Sequence, residues 1–205
     1  MLRMEGAEAL RKARREGRGH VDRLRAVIAA NPADYTAWEW LRECDVVDWE
    51  FADTACWENP KNYQTWQHRR CLLMKLLVGA DADALQAVAE REYGFLDAFL
   101  DDVDNAKNYH AYSHRQWLIQ QRRLTGDARL IRELDDFTAR HVERDPLNNS
   151  AWQHRWAVHQ ELQRRGRLHE HYRDALAQRL HDDGATFEPV TTYLHSIRRL
   201  LQPNT

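Results

Sequence analysis

Two identical tripeptides, Lys61-Asn62-Tyr63 and Lys107-Asn108-Tyr109, carry the residue types that an anion receptor needs. A lysine just ahead of a helix start joins a mobile point charge to the positive end of the helix dipole, and together they suit a phosphate group. Tyr63 and Tyr109 could add neutral hydroxyl donors to phosphoryl oxygens, and His110 follows the second tripeptide directly. Lys61, Lys107 and His110 would then lie along one edge. The same residues also read as solvated lysines and helix-capping asparagines, and residue chemistry alone leaves the two readings level.

Histidine offers a second chemistry. His110 and His114 stand at i and i+4, a spacing that can hold zinc from one helix face, but no Glu follows His110 as in H-E-x-x-H. His169 and His171 sit in a polar stretch without a third ligand nearby in sequence. The three cysteines, Cys44, Cys56 and Cys71, form no C-x-x-C pair. The expectation is no metal site in this chain and buried, reduced thiols.

The elements that must position these residues are set by a repeat. Four segments align: NPADYTAWEWLR (31–42), NPKNYQTWQHRR (59–70), NAKNYHAYSHRQ (105–116) and DPLNNSAWQHRW (145–156). Each begins with Asn or Asp followed by Pro or Ala, and each places an aromatic residue seven positions on: Trp38, Trp66, Tyr112 and Trp152. The last three add the pairs His68/Arg69, His114/Arg115 and His154/Arg155. Asn or Asp before Pro predicts a capped helix start at that point. Apolar residues at helical spacing follow, and second amphipathic helices are expected over 82–102 and 127–145. The Trp and Arg of each motif are expected to build the core between hairpins rather than a ligand box. A helical hairpin cannot bury its apolar face alone, so such units stack. The fold class expected is all-α, an α-solenoid in which antiparallel helical hairpins form a right-handed superhelix of the tetratricopeptide kind. One repeat domain is expected over 1–205, with 186–200 a degenerate last unit that keeps Pro189, Tyr193, Leu194, Ile197 and Leu200 at helical spacing.

Composition agrees and excludes other classes. The 205 residues are 43% hydrophobic and 30% charged, with only 8 Gly and 5 Pro, which favours packed helices over disorder. Thirty Lys+Arg against 32 Asp+Glu leave a net charge of −2, so no overall field draws the chain to nucleic acid. The first 25 residues are locally basic, eight Arg/Lys against four Asp/Glu, and read as a solvated helix start. No apolar run approaches the length of a membrane span, and the charged beginning lacks a secretory h-region, so a cytoplasmic protein is expected.

The combination PKNYQ-x-W-x-HRR followed by AKNYHA-x-x-HRQW is distinctive. Segments 59–70 and 105–117 resemble the second and third repeats of the α subunit of protein farnesyltransferase and geranylgeranyltransferase type I. Segments 31–42 and 145–156 resemble the flanking repeats, and the similarity runs from about residue 20 to 160. The resemblance implies a heterodimer with a β subunit shaped as an α-α barrel, moving an isoprenoid from its diphosphate to the cysteine of a CaaX protein substrate. It implies zinc and magnesium in the heterodimer, the zinc on the β subunit and no cofactor on this chain. By motif position it assigns Lys61 to the diphosphate. It places Tyr63, Tyr109 and His110 along the same path, with Lys107 and Asn108 beside them. Gln64 would meet the terminal carboxylate of the substrate peptide and Tyr35 would edge the peptide pocket. Two other readings stand beside this one. One is a non-catalytic helical-repeat scaffold for protein partners. The other is the α subunit of a Rab-type geranylgeranyltransferase, which shares the repeat but is less similar in these residues.

Overall fold

The computed structural model describes residues 18–44, 46–167, 178, 181–182 and 188–200. All regular structure among them is helical. The chain divides into two compact units, Met1–Ala80 and Asp81–Thr205.

The first unit contains α1 (Arg18–Ala30), α2 (Tyr35–Glu43), α3 (Trp49–Glu58) and α4 (Tyr63–Leu77). Helix α1 packs on α2, and α4 packs on both α2 and α3. Val21, Leu24 and Ile28 form the buried stripe of α1 at helical spacing and meet Trp38 and Leu41 of α2. Trp38 is fully buried, with its ring 5.9 Å from Phe51 and 5.4 Å from His68. The short interval between the first two motifs holds two short helices, α2 of 9 residues and α3 of 10.

The second unit contains α5 (Ala82–Asp101) and α6 (Tyr109–Gln120), then a rod of α7 (Asp127–Arg132), a π-helical stretch (Glu133–Thr138) and α8 (Ala139–Arg144). It continues with α9 (Asn149–Arg164) and α10 (Glu188–Leu200). Helix α6 packs on α5 and α9, and α9 packs on the rod and on α10. The expected second helices at 82–102 and 127–145 are therefore present almost to the residue. Of the degenerate last unit, residues 188–200 form α10, while 186–187 lie outside the described residues, as do His169 and His171. Tyr193 of α10 sets its ring 5.0 Å from that of Trp152, and its hydroxyl meets His159 Nδ1 at 3.1 Å.

The motif works differently at its start from the sequence expectation. The leading Asn or Asp does not cap the coming helix. It closes a turn in which its carbonyl accepts the N–H three residues on, as Asn31–Asp34 (3.0 Å), Asn59–Asn62 (3.0 Å), Asn105–Asn108 (2.8 Å) and Asp145–Asn148 (2.9 Å). The caps are the fourth residues: Asp34 accepts from the Ala37 N–H, Asn62 from Gln64, Asn108 from His110 and Ala111, and Asn148 from Ala151. The leading residue still belongs to the end of the previous helix, since the Asn59 N–H bonds the Ala55 carbonyl and that of Asp145 bonds His141. Pro32, Pro60 and Pro146 sit inside the turn, and their carbonyls accept the indole N–H of Trp38, Trp66 and Trp152, each at 2.9 Å. This answers why Pro and Trp recur six residues apart: the buried indole donor needs an acceptor, and the turn supplies one. The third motif has Tyr112 and no indole; its Ala106 carbonyl accepts Asn148 Nδ2 at 2.8 Å, just as the Pro32 carbonyl accepts Asn62 Nδ2 beside the Trp38 indole.

Candidate functional site

The residues singled out at the helix starts fall into two groups, one in each unit. In the first, Tyr35 and Tyr63 are the opening residues of α2 and α4, both well exposed, and Lys61 is exposed just ahead of the Asn62 cap. The cap uses up the Asn62 side-chain oxygen on the Gln64 N–H (2.8 Å), while its Nδ2 bonds the Pro32 carbonyl. Asn62 thus ties the α4 start to the preceding turn, and the rigid turn presents Lys61 and Tyr63 on either side. The Tyr63 hydroxyl donates to Gln67 Oε1 at 3.3 Å.

Half-buried Gln64 meets a residue that the sequence reading passed over. Arg42 Nη1 donates to Gln64 Oε1 at 3.0 Å, and the same guanidinium stands 6.0 Å from the Tyr35 ring centre. A guanidinium has only donors, so the Gln64 carbonyl oxygen must face it and the amide NH2 faces away. Tyr35, Arg42 and Gln64 thereby become one donor-rich group. Arg42 occupies the last position of the first motif, and only its distance of 22 residues from Gln64 hid the pairing.

In the second unit, Tyr109 opens α6 and is the most exposed of the three tyrosines at 63%. The His110 ring lies 3.9 Å from the Tyr109 ring, tilted by 33°. Asn108 is buried, and its side-chain oxygen serves as the α6 cap. Lys107 is exposed, and its Nζ pairs with Asp145 Oδ2 at 2.6 Å, so part of its charge is already answered within the scaffold. Asp145, the leading residue of the fourth motif, is a partner that only the stacking of turns reveals.

The second histidine of the i, i+4 pair does not share a site with His110. His114 is buried and its Nε2 lies 2.6 Å from the equally buried Glu92. Among the described residues no group of three or more His, Cys, Asp or Glu side chains could hold a metal ion. None of the three cysteines is in a disulfide, but only Cys56 is fully buried, whereas Cys44, the residue that caps the end of α2, and Cys71 of α4 are half-buried.

The Arg and His that recur in the last three motifs are sunk in the core. Arg69 bonds Asp53, and Arg155 bonds Thr138 Oγ1 at 2.7 Å and the Leu134 carbonyl inside the π turn. Arg115 is fully buried and forks onto Glu133 at 2.7 and 2.8 Å, with Asp97 at 2.7 Å. Glu133 also accepts from His154 Nε2 (2.9 Å) and Arg129 Nε (3.0 Å). Burial alone would push the Glu133 carboxyl up, yet the Arg115 charge and the His154 bond hold it well below the usual carboxylate range. Burial lowers the His154 imidazole against the pull of Glu133, and it pushes His68 down to about 3 and His141 to about 4, with Arg42 adding to the fall at His68. These perturbed groups face the packed interior, while the candidate lysines and tyrosines face solvent.

Comparison with known proteins decides what the repeat is. The family model for the protein prenyltransferase alpha subunit repeat matches three times, at residues 48–76, 90–122 and 131–162. The chain belongs to the protein prenyltransferase α-subunit repeat family. Each match covers a helix pair that ends in a motif helix: α3 with α4, α5 with α6, and the π-containing rod with α9. The turn of the first motif lies outside the matched stretches but keeps the same cap and the same indole bond. The fold is also that of a chain in Candida albicans protein geranylgeranyltransferase-I complexed with GGPP, with a TM-score of 0.73, 21% sequence identity and 95% of this chain covered. The present chain spans 65% of the length of that one. No curated protein matches by sequence. Within this prenyltransferase repeat family, Lys61, Tyr63 and Gln64 lie inside the first matched repeat, and Lys107, Asn108, Tyr109 and His110 inside the second. No helix among the described residues is long and apolar enough to cross a membrane.

Proposed function

We propose that this chain is the α subunit of a heterodimeric protein prenyltransferase, which moves a farnesyl or geranylgeranyl group from its diphosphate to the cysteine of a C-terminal CaaX sequence in the cytoplasm. The carrying observation is the pair of Lys-Asn-Tyr turns inside two family repeats, each with an exposed lysine and tyrosine at an Asn-capped helix start. In the reaction the cysteine sulfur bonds to the isoprenoid C1, the C1–oxygen bond breaks, and diphosphate leaves as the thiol proton is lost. Negative charge therefore grows on the leaving group. Lys61, backed by the positive end of α4, is the residue suited to meet it. Tyr63, Tyr109 and His110 supply donors for the departing oxygens. Lys107 contributes less, because Asp145 already neutralises part of its charge. Gln64, oriented by Arg42 and edged by Tyr35, offers its amide NH2 to the terminal carboxylate of the peptide. In this reading zinc and magnesium are held elsewhere in the heterodimer, the zinc by the β subunit.

The test is co-expression with the β subunit of the same cell, followed by single-turnover prenyl transfer to a CaaX peptide. Lys61→Ala should lower the rate of the chemical step by about 10²-fold while isoprenoid diphosphate affinity changes far less, as expected for a donor used mainly in the transition state. Equal turnover by variant and wild type would remove Lys61 from that role. Capture of other proteins without a barrel subunit would favour the helical-repeat scaffold, and transfer only to substrates presented by an escort protein would favour the Rab-type enzyme.

A further inference from the structure

Helix α4 carries on one face a hydrogen-bond chain of three side chains, one turn apart: Tyr63, Gln67 and Cys71. The Tyr63 hydroxyl donates to Gln67 Oε1 at 3.3 Å, and Gln67 Nε2 donates to the Cys71 sulfur at 3.8 Å. Helical side chains lean toward the helix N-terminus, so Gln67 reaches the tyrosine ahead of it while the turn behind braces its amide. The same motif position holds Glu39, Ser113 and Gln153 in the other three motifs, and all three are exposed. Gln67 alone of the four is half-buried.

The chain sets where the Tyr63 proton points. The hydroxyl hydrogen is spent on the amide, and the phenol oxygen turns only lone pairs outward. A phosphoryl oxygen is itself an acceptor, so Tyr63 can meet one only after turning its proton away from Gln67. The 3.3 Å bond is easily given up, since it is long for a hydroxyl donor and a charged oxygen is the stronger partner. Phenol, amide and thiol can each both donate and accept. Turning the Gln67 amide over exchanges its oxygen and nitrogen. Nε2 then donates to the Tyr63 oxygen, Oε1 accepts from the Cys71 thiol, and the phenol proton is free to point outward. The phenol oxygen stays held in both states, and accepting a bond makes it a better donor.

We propose that Gln67 is a positioning residue for Tyr63: its amide fixes the phenol oxygen and, by turning over, lets the hydroxyl donate to the departing diphosphate. This rests on the reading of Tyr63 as a donor in prenyl transfer. The test pairs single-turnover transfer by the heterodimer with NMR of Cζ-labelled tyrosines, in which the Tyr63 signal is the one lost in Tyr63→Phe. Gln67→Met keeps length and helix propensity but loses both bonding directions. It should lower the rate about fivefold and leave KM for the isoprenoid diphosphate unchanged. Gln67→Glu accepts but cannot donate, so it holds the proton inward and should be as slow as Tyr63→Phe. Neither change should slow transfer further in a Tyr63→Phe background, which separates action through Tyr63 from repulsion by the new carboxylate. Without catalysis, Gln67→Met should move the Tyr63 signal, and inorganic diphosphate should shift that signal in wild type but not in Gln67→Glu. The proposal is overturned if Gln67→Met leaves the Tyr63 signal in place or if Gln67→Glu turns over like wild type. It is equally overturned if either variant slows the Tyr63→Phe enzyme as much as it slows wild type. A wild-type heterodimer that transfers no isoprenoid sinks the prenyl-transfer reading instead, and the diphosphate titration then decides Gln67 alone. A shift confined to wild type supports its role, and an equal response or none in the two proteins overturns it.

Discussion

Replacing Glu133 by Gln changes one atom in the interior of the second unit, and the structure says how costly that change is. Both carboxylate oxygens are doubly used: Oε1 accepts from Arg115 Nη2 and Arg129 Nε, and Oε2 accepts from Arg115 Nε and His154 Nε2. A glutamine amide must put its NH2 in one of those two places, where it would face two donors and satisfy neither. At the same time Arg115, with no solvent exposure, loses its main counter-charge and keeps only Asp97. Breaking a buried pair from one side costs about 3–5 kcal/mol. Set against a total stability of roughly 5–15 kcal/mol, that is a fifth or more of what holds such a domain. Urea unfolding followed by circular dichroism should therefore show a much lower midpoint with little change in slope. Adding Arg115→Met should recover part of the loss, because the fully buried charge is then gone and the partly exposed Arg129 and Asp97 are left to each other, and the coupling between the two changes should be at least about 1 kcal/mol. A loss below about 1 kcal/mol for Glu133→Gln would refute the reasoning, since it would mean that water or a rearranged Arg115 answers the charge.

Other outcomes follow from the same geometry. Asn148→Ala removes the α9 cap and leaves the Ala106 carbonyl unanswered, so it should cost about 2 kcal/mol in the same unfolding assay. Asn148→Asp, which keeps the cap oxygen but not the Nδ2 donor, should fall between that variant and wild type. Stability should drop as pH falls below about 6.5, by up to roughly 1.4 kcal/mol per pH unit for each histidine buried neutral. His141 and His68 bind protons in the unfolded chain before they do in the folded one, so their contributions are whole above 6.5 and fade toward pH 4 and pH 3. His68→Gln and His141→Gln should each flatten that slope in a pH series of urea midpoints; an unchanged slope would mean that neither is neutral in the fold. In the co-expressed heterodimer, Arg42→Ala should raise the KM for a CaaX peptide with a free carboxyl terminus and leave the C-terminal amide peptide unaffected. Equal effects on the two peptides would show that Arg42 does not orient Gln64 toward a carboxylate.

The repeat, its helical character and the core role of its aromatic residues follow from sequence alone. These depend on short spacings: a turn residue three positions before a cap, an aromatic six residues after a Pro, an apolar stripe at helical period. Local interactions of this kind act within one turn and one helix, so the chain order already contains both partners. The helix start was misplaced by three residues for a related reason. Asn-Pro satisfies the rules for a capped first turn, but the previous helix claims the Asn N–H, and competition between neighbouring elements is not visible in a local pattern. Everything that pairs residues from separate elements was left to the tertiary structure. Arg42 finds Gln64 across 22 residues, Arg115 finds Glu133 across 18, His114 finds Glu92 across 22, and Lys107 meets Asp145 only because successive turns stack. The π turn at Glu133–Thr138 belongs to the same class, since Arg155 from α9 enters it to bond the Leu134 carbonyl. A buried charge can be placed only where its counter-charge and donors arrive together. The sequence lists those groups, and only the packed helices decide which of them meet.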